Sequence, residues 1–295
     1  MSVNFARRHF ILGAALSLAG ARIASATALP RIAAIDWAML ETALALGMTP
    51  VAATELKQFR QVAIEPPVPE AVADLGLRGV PNYELLRITA PELILSSPFY
   101  ERQRGRLEQI APVLSVPVYL PGQAPYALAE QATLTLGEKL GRNAEAAALV
   151  ARTRDLIAVH RTELQRIKHP LFIVSFGDSR HVRVFGADGM FGDVLARLGL
   201  GNAWTARTSY SATAPVGLEA LALMPDAAVV VLGPTPPDVQ RSLARNALWN
   251  ALPAVKRGRV LTLDPVNHFG ALPAAARFAR LLSLAATSAG EAFLG

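Results

Sequence analysis

The chain has 295 residues, of which 52% are hydrophobic, and it carries 29 basic against 23 acidic residues and no cysteine. A chain of this length and apolar content buries a core of one or two domains, which excludes an intrinsically disordered protein. The lack of cysteine excludes disulfide bridges, thiol catalysis, cysteine-ligated zinc and lipid attachment at an N-terminal cysteine.

The first 26 residues have the composition of an export signal. Arg7 and Arg8 precede an apolar stretch at 10–21, and Ala-Ser-Ala follows at 24–26. A charged segment, a short apolar segment and a small-x-small exit are typical of a secretory signal, and paired arginines before Phe and Ile resemble the twin-arginine variant. About 12 apolar residues are too few for a membrane span, which needs roughly 20. We therefore predict cleavage near Ala26 and a soluble periplasmic protein.

The charge balance argues against nucleic acid as a partner. Removal of the signal takes away Arg7, Arg8 and Arg22 and no acidic residue, so the 29 basic residues fall to 26 against 23 acidic ones. The remaining basic residues are dispersed and form no basic and aromatic strip of the kind that follows a phosphate backbone.

Short β-branched runs alternate with helical patterns along the mature chain, which predicts an α/β fold. Predicted helices include 39–46 and 189–198, each followed by a glycine stop signal. The predicted strands are 31–35, 93–96, 116–120, 171–176, 182–185, 228–232 and 259–263.

Two halves of the chain repeat one layout. Residues 81–84 open a predicted helix that leads into the strand at 93–95, and residues 215–219 open one that leads into the strand at 228–231. This repeat predicts two similar α/β lobes, at 27–141 and 170–295.

The segment between the lobes, 142–169, predicts one long helix. It has no proline or glycine through Lys168 and is rich in Ala, Leu, Arg and Glu. A helix of about 25 residues is nearly 40 Å long, enough to join two lobes. The alternative is an ordinary surface helix within one domain.

Six short stretches then resemble a known family, the periplasmic iron(III)-hydroxamate (ferrichrome-type) binding proteins of ABC importers. The stretches are RIAAIDW at 31–37, LALG at 44–47, EPPVP at 65–69, DLGLR at 74–78, PNYELL at 81–86 and NAW at 202–204. The resemblance implies a class III periplasmic binding protein, with two Rossmann-like lobes, one long connecting helix and a shallow cleft. It implies a monomer that is not an enzyme, needs no cofactor and delivers a ferric siderophore to an inner-membrane permease.

The resemblance also assigns ligand-binding residues. Iron in a ferric trihydroxamate is already saturated by oxygen ligands, so the protein recognises a bulky complex through a cation, a hydroxyl donor and aromatic walls. Without the resemblance, Arg78 would be read as a surface ion pair and Tyr100 as a packed core ring. For Trp204, a buried ring between the lobes is an equal alternative. The ligand-binding candidates are Arg78, Tyr100, Trp37, Trp204, Tyr210 and Phe269.

Three positions depart from the family pattern. Val62, Ser211 and Asn267 stand where ferrichrome-binding relatives place tryptophans. The cleft is therefore expected to have less aromatic wall and more polar groups there, which leaves the identity of the siderophore open.

Glu84 and Glu219 occupy equivalent places in the two halves. In the family that the chain resembles, one acidic residue on each lobe docks onto arginines of the permease dimer, which makes these two the docking candidates. The alternative is that acids in a first helical turn only oppose the helix dipole.

Other functions remain as alternatives. Haem or cobalamin carriers share the same scaffold. Gly-Asp-Ser at 177–179 with Asp264 and His268 resembles the triad of one esterase family, although a turn after a strand explains Gly-Asp-Ser equally well. A carrier of free metal ions needs converging ligands, and the histidines show no such spacing. These histidines are His160, His169, His181 and His268.

Overall fold

Two five-stranded sheets, each covered by helices, form the protein in this computed structural model, which describes residues 29–208, 213–290 and 293. The predicted signal at 1–26, Tyr210 and Ser211 lie outside the described residues. No helix in the described part of the chain has both the length and the apolar character of a membrane span.

The first sheet is entirely parallel, with the strand order β3-β2-β1-β4-β5. Its strands are β1 (Ile32–Ala34), β2 (Ala52–Ala53), β3 (Ala73–Asp74), β4 (Leu93–Ser96) and β5 (Val113–Ser115). Its helices are α1 (Trp37–Ala45), α2 (Leu56–Val62), α3 (Tyr83–Ile88) and α4 (Arg104–Leu107). The chain winds outward from β1 to β3 and then returns past β1 to β4. The strand order therefore reverses between β1 and β4.

Side-chain caps fix where two of these helices begin. The carboxylate of Asp36 accepts hydrogen bonds from the N–H groups of Ala38 and Met39, at 2.8 and 3.1 Å, and so starts α1 directly after β1. Asn82 accepts from the N–H of Leu85 at 2.9 Å and starts α3. Both are polar N-caps that satisfy otherwise unpaired peptide groups.

The strand predicted at 116–120 is wrong. The observed strand ends at Ser115, and the N–H of Val116 donates the last bond of the ladder, 3.0 Å to Ser96 O. Pro117 follows and has no N–H to continue the pairing. The sequence also missed β2 and β3, which are two residues long and too short for an alternating pattern.

The second sheet is mixed, with the order β10-β9-β6-β7-β8 and β7 antiparallel to both neighbours. Its strands are β6 (Leu171–Phe176), β7 (His181–Phe185), β8 (Thr213–Gly217), β9 (Ala228–Leu232) and β10 (Val260–Leu263). The helices of this half and of the connection are α5 (Pro125–Leu140), α6 (Asn143–Glu163), α7 (Met190–Arg197), α8 (Pro237–Leu243), α9 (Ala247–Ala251), α10 (Pro253–Lys256) and α11 (Leu272–Ala289). Short 3₁₀ segments occur at Pro98–Gln103, Leu164–Arg166 and Leu218–Leu223.

The helix predicted to open at 215–219 is also wrong in part. Thr213–Gly217 forms β8, and a 3₁₀ helix starts only at Leu218. Pro215 is tolerated in this strand because β8 is the edge of the sheet and pairs on one side only. The two halves nevertheless have the same order of elements. In the first half, α3 leads into β4, which pairs with β1; in the second half, a short helix leads into β9, which pairs with β6.

The long connecting helix is present and shorter than predicted. The helix α6 has 21 residues, about 31 Å at 1.5 Å per residue, and packs against α5 and α11 before a 3₁₀ turn leads to β6. The predicted fold class, two α/β lobes joined by a long helix, is confirmed. The boundaries at 141 and 170 stay predictions.

One continuous apolar core crosses from the first lobe to the second. It joins α1, α5, α6, α7 and α11 with β1 and β4 of the first sheet and with β6, β9 and β10 of the second. Met39 and Leu40 of α1 and Phe278 and Leu282 of α11 are fully buried in it. Each lobe also has a smaller core of its own, and the apolar contacts of the shared core oppose separation of the lobes.

A charged contact reinforces the same junction between the two lobes, which we call the seam. Glu65, from the first lobe, receives Arg277 Nη1 at 2.7 Å and Arg280 Nη2 at 2.8 Å, both from α11. The side chain of Arg277 is 6% exposed, and its Nε also donates to Pro265 O at 3.0 Å. Charge-assisted pairs of this geometry fix the orientation of α11 against the first lobe.

We predict that Leu282→Ala lowers the free energy of unfolding by roughly 2–5 kcal/mol, because it leaves a cavity in the core that joins the lobes. Leu284→Ala is the matched control on the same helix, since Leu282 is 0% and Leu284 56% exposed. The control should change the free energy by about 0.5 kcal/mol or less. Urea denaturation followed by circular dichroism measures both, and equal losses in the two variants would contradict the placement of α11.

Candidate ligand-binding cleft

Polar and charged side chains gather at the carboxyl ends of the strands of the first sheet. Asp36 follows β1, Glu55 follows β2, Arg78 follows β3 and Ser97 follows β4. The carboxyl ends of parallel strands lie at one edge of a sheet, and the point where strand order reverses leaves a crevice there. Ser97 Oγ donates to Asp36 Oδ2 at 2.8 Å, which joins the two strands on either side of the reversal.

The guanidinium of Arg78 is held at this edge by three groups. Its carbon lies 4.0 Å from the ring centroid of Trp37 and 5.0 Å from that of Phe269. Its Nε donates to Glu55 Oε2 at 2.7 Å. Two aromatic rings and a carboxylate therefore fix the cation.

Glu55 adopts a left-handed backbone conformation, with φ +50° and ψ +41°. This conformation is uncommon for a residue with a side chain and persists only where the surroundings impose it. The N–H of Glu55 donates to Gly76 O at 2.8 Å, and Glu55 Oε1 accepts from the N–H of Arg78 at 3.3 Å. The strained residue thereby ties the chain after β2 to the loop that carries Arg78.

Tyr100 lies in the 3₁₀ helix after β4 and is 6% exposed. Burial raises the pKa of its phenol well above the ordinary value, the negative charge of Asp36 adds to the effect, and Arg78 opposes it. The hydroxyl thus stays protonated and remains a hydrogen-bond donor. The neighbouring Phe99 packs edge-on at 5.0 Å between centroids and is 59% exposed.

Arg78 and Phe269 border two adjoining cavities, of about 250 and about 540 Å³, which together we name the Arg78 cleft. These volumes suit a small-molecule site. Besides Glu55, Arg78 and Phe269, its lining includes Asp36, Ser97, Phe99, Tyr100, Val118 and Tyr119 around the first cavity and Trp37, Arg183, Thr213, Pro215 and His268 around the second.

His268 contributes a neutral group to the second cavity. Burial, together with the nearby positive charges of Arg183 and Arg78, lowers its pKa to about 4. Its ring packs against Phe269 at 4.2 Å and Phe185 at 5.9 Å between centroids. At neutral pH the cations of the cleft are therefore Arg78 and Arg183.

Of the aromatic candidates, Phe269 and Trp37 lie at the Arg78 cleft. Phe269 is partly buried and lines both cavities. Trp37 is 1% exposed, and its Nε1 donates to Thr54 O at 3.1 Å. Its ring packs edge-on against Phe59 at 5.4 Å between centroids and presents its face to the Arg78 guanidinium.

Trp204 does not join this group. It packs on the core of the second lobe and lines a different cavity of about 710 Å³, with Gly122, Asp188 and Thr208. That cavity has no lining residue in common with the Arg78 cleft. The structure therefore brings together Arg78, Tyr100, Trp37 and Phe269 of the six candidates, while Trp204 lies apart.

Two of the three departures from the family pattern do not add polar groups to the cleft. Asn267 is 1% exposed and donates to Glu41 at 2.7 Å inside the protein, so the expectation of a polar cleft residue there is wrong. Val62 is partly buried against the main core. The residues that the sequence did not single out as cleft lining are Asp36, Glu55, Ser97, Phe99, Tyr119 and Arg183.

The two docking candidates are both exposed and both lie in the first turn of a short helix. The side chain of Glu84 is 81% exposed, with Arg87 at 3.4 Å as a weak partner. Glu219 begins the 3₁₀ helix Leu218–Leu223, with its carboxylate folded back over Gly217. Four residues further on, each helix carries a highly exposed aliphatic side chain, Ile88 at 78% and Leu223 at 84%.

The esterase arrangement is not assembled. Gly177 and Asp178 form the turn between β6 and β7, where Asp178 Oδ1 accepts from the N–H groups of Arg180 and His181 at 2.7 and 2.8 Å. Ser179 is in this turn, whereas His268 packs beside Phe185 at the other end of β7. Five residues of strand separate these ends by about 13 Å. Within the described residues, no three His, Asp or Glu side chains form a group able to hold a metal ion.

Comparison with known proteins agrees with this geometry. A family model described as "Periplasmic binding protein" matches residues 32–266. The chain is 30% identical over 253 residues to the iron(3+)-hydroxamate-binding protein FhuD of Escherichia coli (strain K12), covering 85% of each chain. It is 21% identical to the putative ABC transporter substrate-binding lipoprotein YhfQ of Bacillus subtilis (strain 168), covering 79% of this chain and 76% of the relative.

Among solved structures, the chain is similar to the siderophore-binding protein FhuD from Vibrio cholerae bound to Fe3+-Desferal. The TM-score is 0.79 and the sequence identity 26%, with 87% of this chain and 97% of the other covered.

Proposed function

This chain belongs to the periplasmic binding protein family, and we propose from that premise that it binds an iron(III)-hydroxamate siderophore and delivers it to an ABC importer. The observation that carries the proposal is the Arg78 guanidinium, oriented by Trp37, Phe269 and Glu55 next to the protonated hydroxyl of Tyr100. The names of the two FhuD relatives, one hydroxamate-binding and one bound to Fe3+-Desferal, support the same ligand class.

The chemistry of the ligand explains why this set of groups suffices. The hydroxamates already fill the coordination sphere of iron(III), so the protein supplies no metal ligand. The Nη atoms of Arg78 and the hydroxyl of Tyr100 donate to the partly negative oxygens that face outward, and Phe99 and Phe269 cover carbon atoms of the ligand. Capture and release then proceed without any change at the iron.

Preorganisation of the cation favours binding further. A free arginine loses side-chain freedom when it binds an anion, and that loss weakens the complex. Arg78 is ordered by its ring and carboxylate contacts within the protein itself. Most of its interaction with the ligand therefore contributes to affinity.

Delivery requires that the importer recognise both lobes. We propose that Glu84 and Glu219 dock onto basic residues of the permease in the inner membrane, with Ile88 and Leu223 beside them as apolar contacts. The exposure of all four residues supports this, because rim charges set orientation and a nearby apolar residue adds buried area. The proposal places the mature protein in the periplasm after removal of the segment 1–26.

We predict that the protein responds to Fe3+-Desferal or ferrichrome in a tryptophan-fluorescence titration, since Trp37 lies directly beneath Arg78. Arg78→Ala should weaken binding roughly 10- to 100-fold, because it removes charge-assisted hydrogen bonds. Arg78→Lys should recover only part of the loss, since an ammonium lacks the planar fork.

Arg152→Ala is the control, because Arg152 is an exposed arginine on α6 and outside the cleft. If the tryptophan fluorescence of the native protein does not change with ferrichrome, Fe3+-Desferal, coprogen or aerobactin, the hydroxamate proposal is refuted. A response to haem or cobalamin alone would reassign the carrier to those ligands.

We predict that the double variant Glu84→Arg and Glu219→Arg reduces uptake of the ferric siderophore roughly tenfold or more, because like charges then face the permease. Its affinity for the ligand in solution should equal that of the native protein. Uptake is measured with radioactive iron in cells that carry the cognate importer and depend on this protein.

A matched double variant, Glu70→Arg and Asp238→Arg, reverses one exposed acid on each lobe away from the docking helices. It makes the same change of net charge and should leave uptake intact. Unchanged uptake in the Glu84 and Glu219 double variant would show that these acids only stabilise the N-terminal turns of their own helices.

A further inference from the structure

A buried carboxyl group lies behind the Arg78 cleft, at the seam between the lobes. Glu41 belongs to α1 of the first lobe and is 0% exposed. Its Oε2 accepts a hydrogen bond of 2.7 Å from Nδ2 of Asn267, a residue that is itself buried and 226 positions away. A carboxyl removed this completely from water is costly unless it serves a purpose or has compensating partners.

The hydrogen bonds continue from Asn267 to the cleft. Its Oδ1 accepts from the N–H of Phe269 at 3.1 Å, so the Asn267 side chain connects the Glu41 carboxyl with the backbone of Phe269. The Phe269 ring in turn lies 5.0 Å from the Arg78 guanidinium. Tyr119, also from the first lobe, donates to Gly270 O at 2.6 Å. We name residues 267–271 the Phe269 segment.

The fit of Glu41 against this segment is tight. A side chain at Gly270 would run into the Glu41 carboxyl and Ala274. The helix α11 begins just beyond, at Leu272, and its N-cap, Ala271, offers no capping side chain. The peptide groups of Ala271 and Ala274 act on the carboxyl and lower its pKa. Glu41 thus stands where a capping side chain of α11 would stand, although it comes from the other lobe.

Burial sets the protonation of this carboxyl. Burial, against the opposing hydrogen bond from the Asn267 amide and with a smaller contribution from the negative charge of Asp36, raises the pKa of Glu41 to about 8. Tyr119 also faces it and stays neutral, because burial raises the pKa of its phenol. Glu41 is thus mostly neutral at pH 7. Its Oε1 has no hydrogen-bond partner among the described residues.

We propose that Glu41 is a positioning residue for the ligand cleft: in its neutral form it holds Asn267, and through Asn267 the Phe269 ring against Arg78. Ionisation strengthens the bond from Asn267 itself but brings water to the buried charge, and this water disturbs the hydrogen bonds that hold the Phe269 segment, so ligand binding weakens. The inference rests on the proposed function for its ligand, but the seam that it describes exists without ligand.

The ligand-free protein provides the first test. Because the folded state holds a proton on Glu41 that the unfolded state releases near pH 4.5, the stability from this group is full below that pH and is lost as pH rises through about 8. The thermal midpoint of the native protein should therefore fall over this range relative to that of Glu41→Gln, which cannot ionise. Glu138→Gln, at an exposed position of α5, should follow the native profile.

The second test is ligand binding from pH 6.5 to 9.5, by titration with Fe3+-Desferal. The native affinity should fall by about tenfold above pH 8, the weakening expected when a holding hydrogen bond is disturbed. Glu41→Gln should bind as the native protein does at pH 7 and show no such fall. The phenol of Tyr100 and the imidazole of His268 do not change charge in this range, because the pKa of the first lies above it and that of the second is about 4.

Asn267→Leu adds an independent variant. It removes a donor that lowers the pKa of Glu41, so the midpoint of the pH dependence should move upward. A native pH profile retained in Glu41→Gln, in either test, would overturn the inference. If no ferric hydroxamate binds while the stability difference appears, the proposed function fails and the positioning of the Phe269 segment by Glu41 stands.

Discussion

The Arg78 guanidinium is the interaction on which the arrangement of the cleft depends, because its two aromatic neighbours come from different lobes. Trp37 begins α1 of the first lobe, and Phe269 precedes α11 of the second half of the chain. The cation can be sandwiched in this way only while both lobes keep their relative position. The orientation of the Arg78 side chain thus depends on how the two lobes pack against each other.

The contacts across this seam oppose relative motion of the two lobes. The main apolar core continues from α1 to α11, Glu65 receives two arginines of α11, and Glu41 and Tyr119 hold the segment in front of it. Large hinge closure would break all of these contacts together. The long connecting helix adds to this constraint, because α6 packs against both α5 and α11.

The sequence predicted what is local and missed what depends on distant contacts. Strands rich in β-branched residues, such as Leu171–Phe176 and Ala228–Leu232, were placed correctly because both faces are buried and the apolar run is continuous. Arg78 and Tyr100 came from the resemblance, since neither has a local pattern that marks a site. Asp36 carried a usable signal, a polar residue between a strand and a helix. Nothing local marks Glu55, whose backbone is left-handed without glycine, or Asn267, whose partner is 226 residues away.

The charges of the cleft bear on which iron complex it suits. Asp36 and Glu55 line it together with Arg78 and Arg183, while the low pKa of His268 keeps that ring neutral. Two acids and two arginines therefore line the cleft, burial raises the pKa of Asp36, and Glu55 already occupies one edge of the Arg78 guanidinium. Three hydroxamates around iron(III) form a complex of no net charge, which such a cleft accommodates without an unpaired buried charge. Three catecholates leave the complex strongly negative and would set it against Asp36 and Glu55.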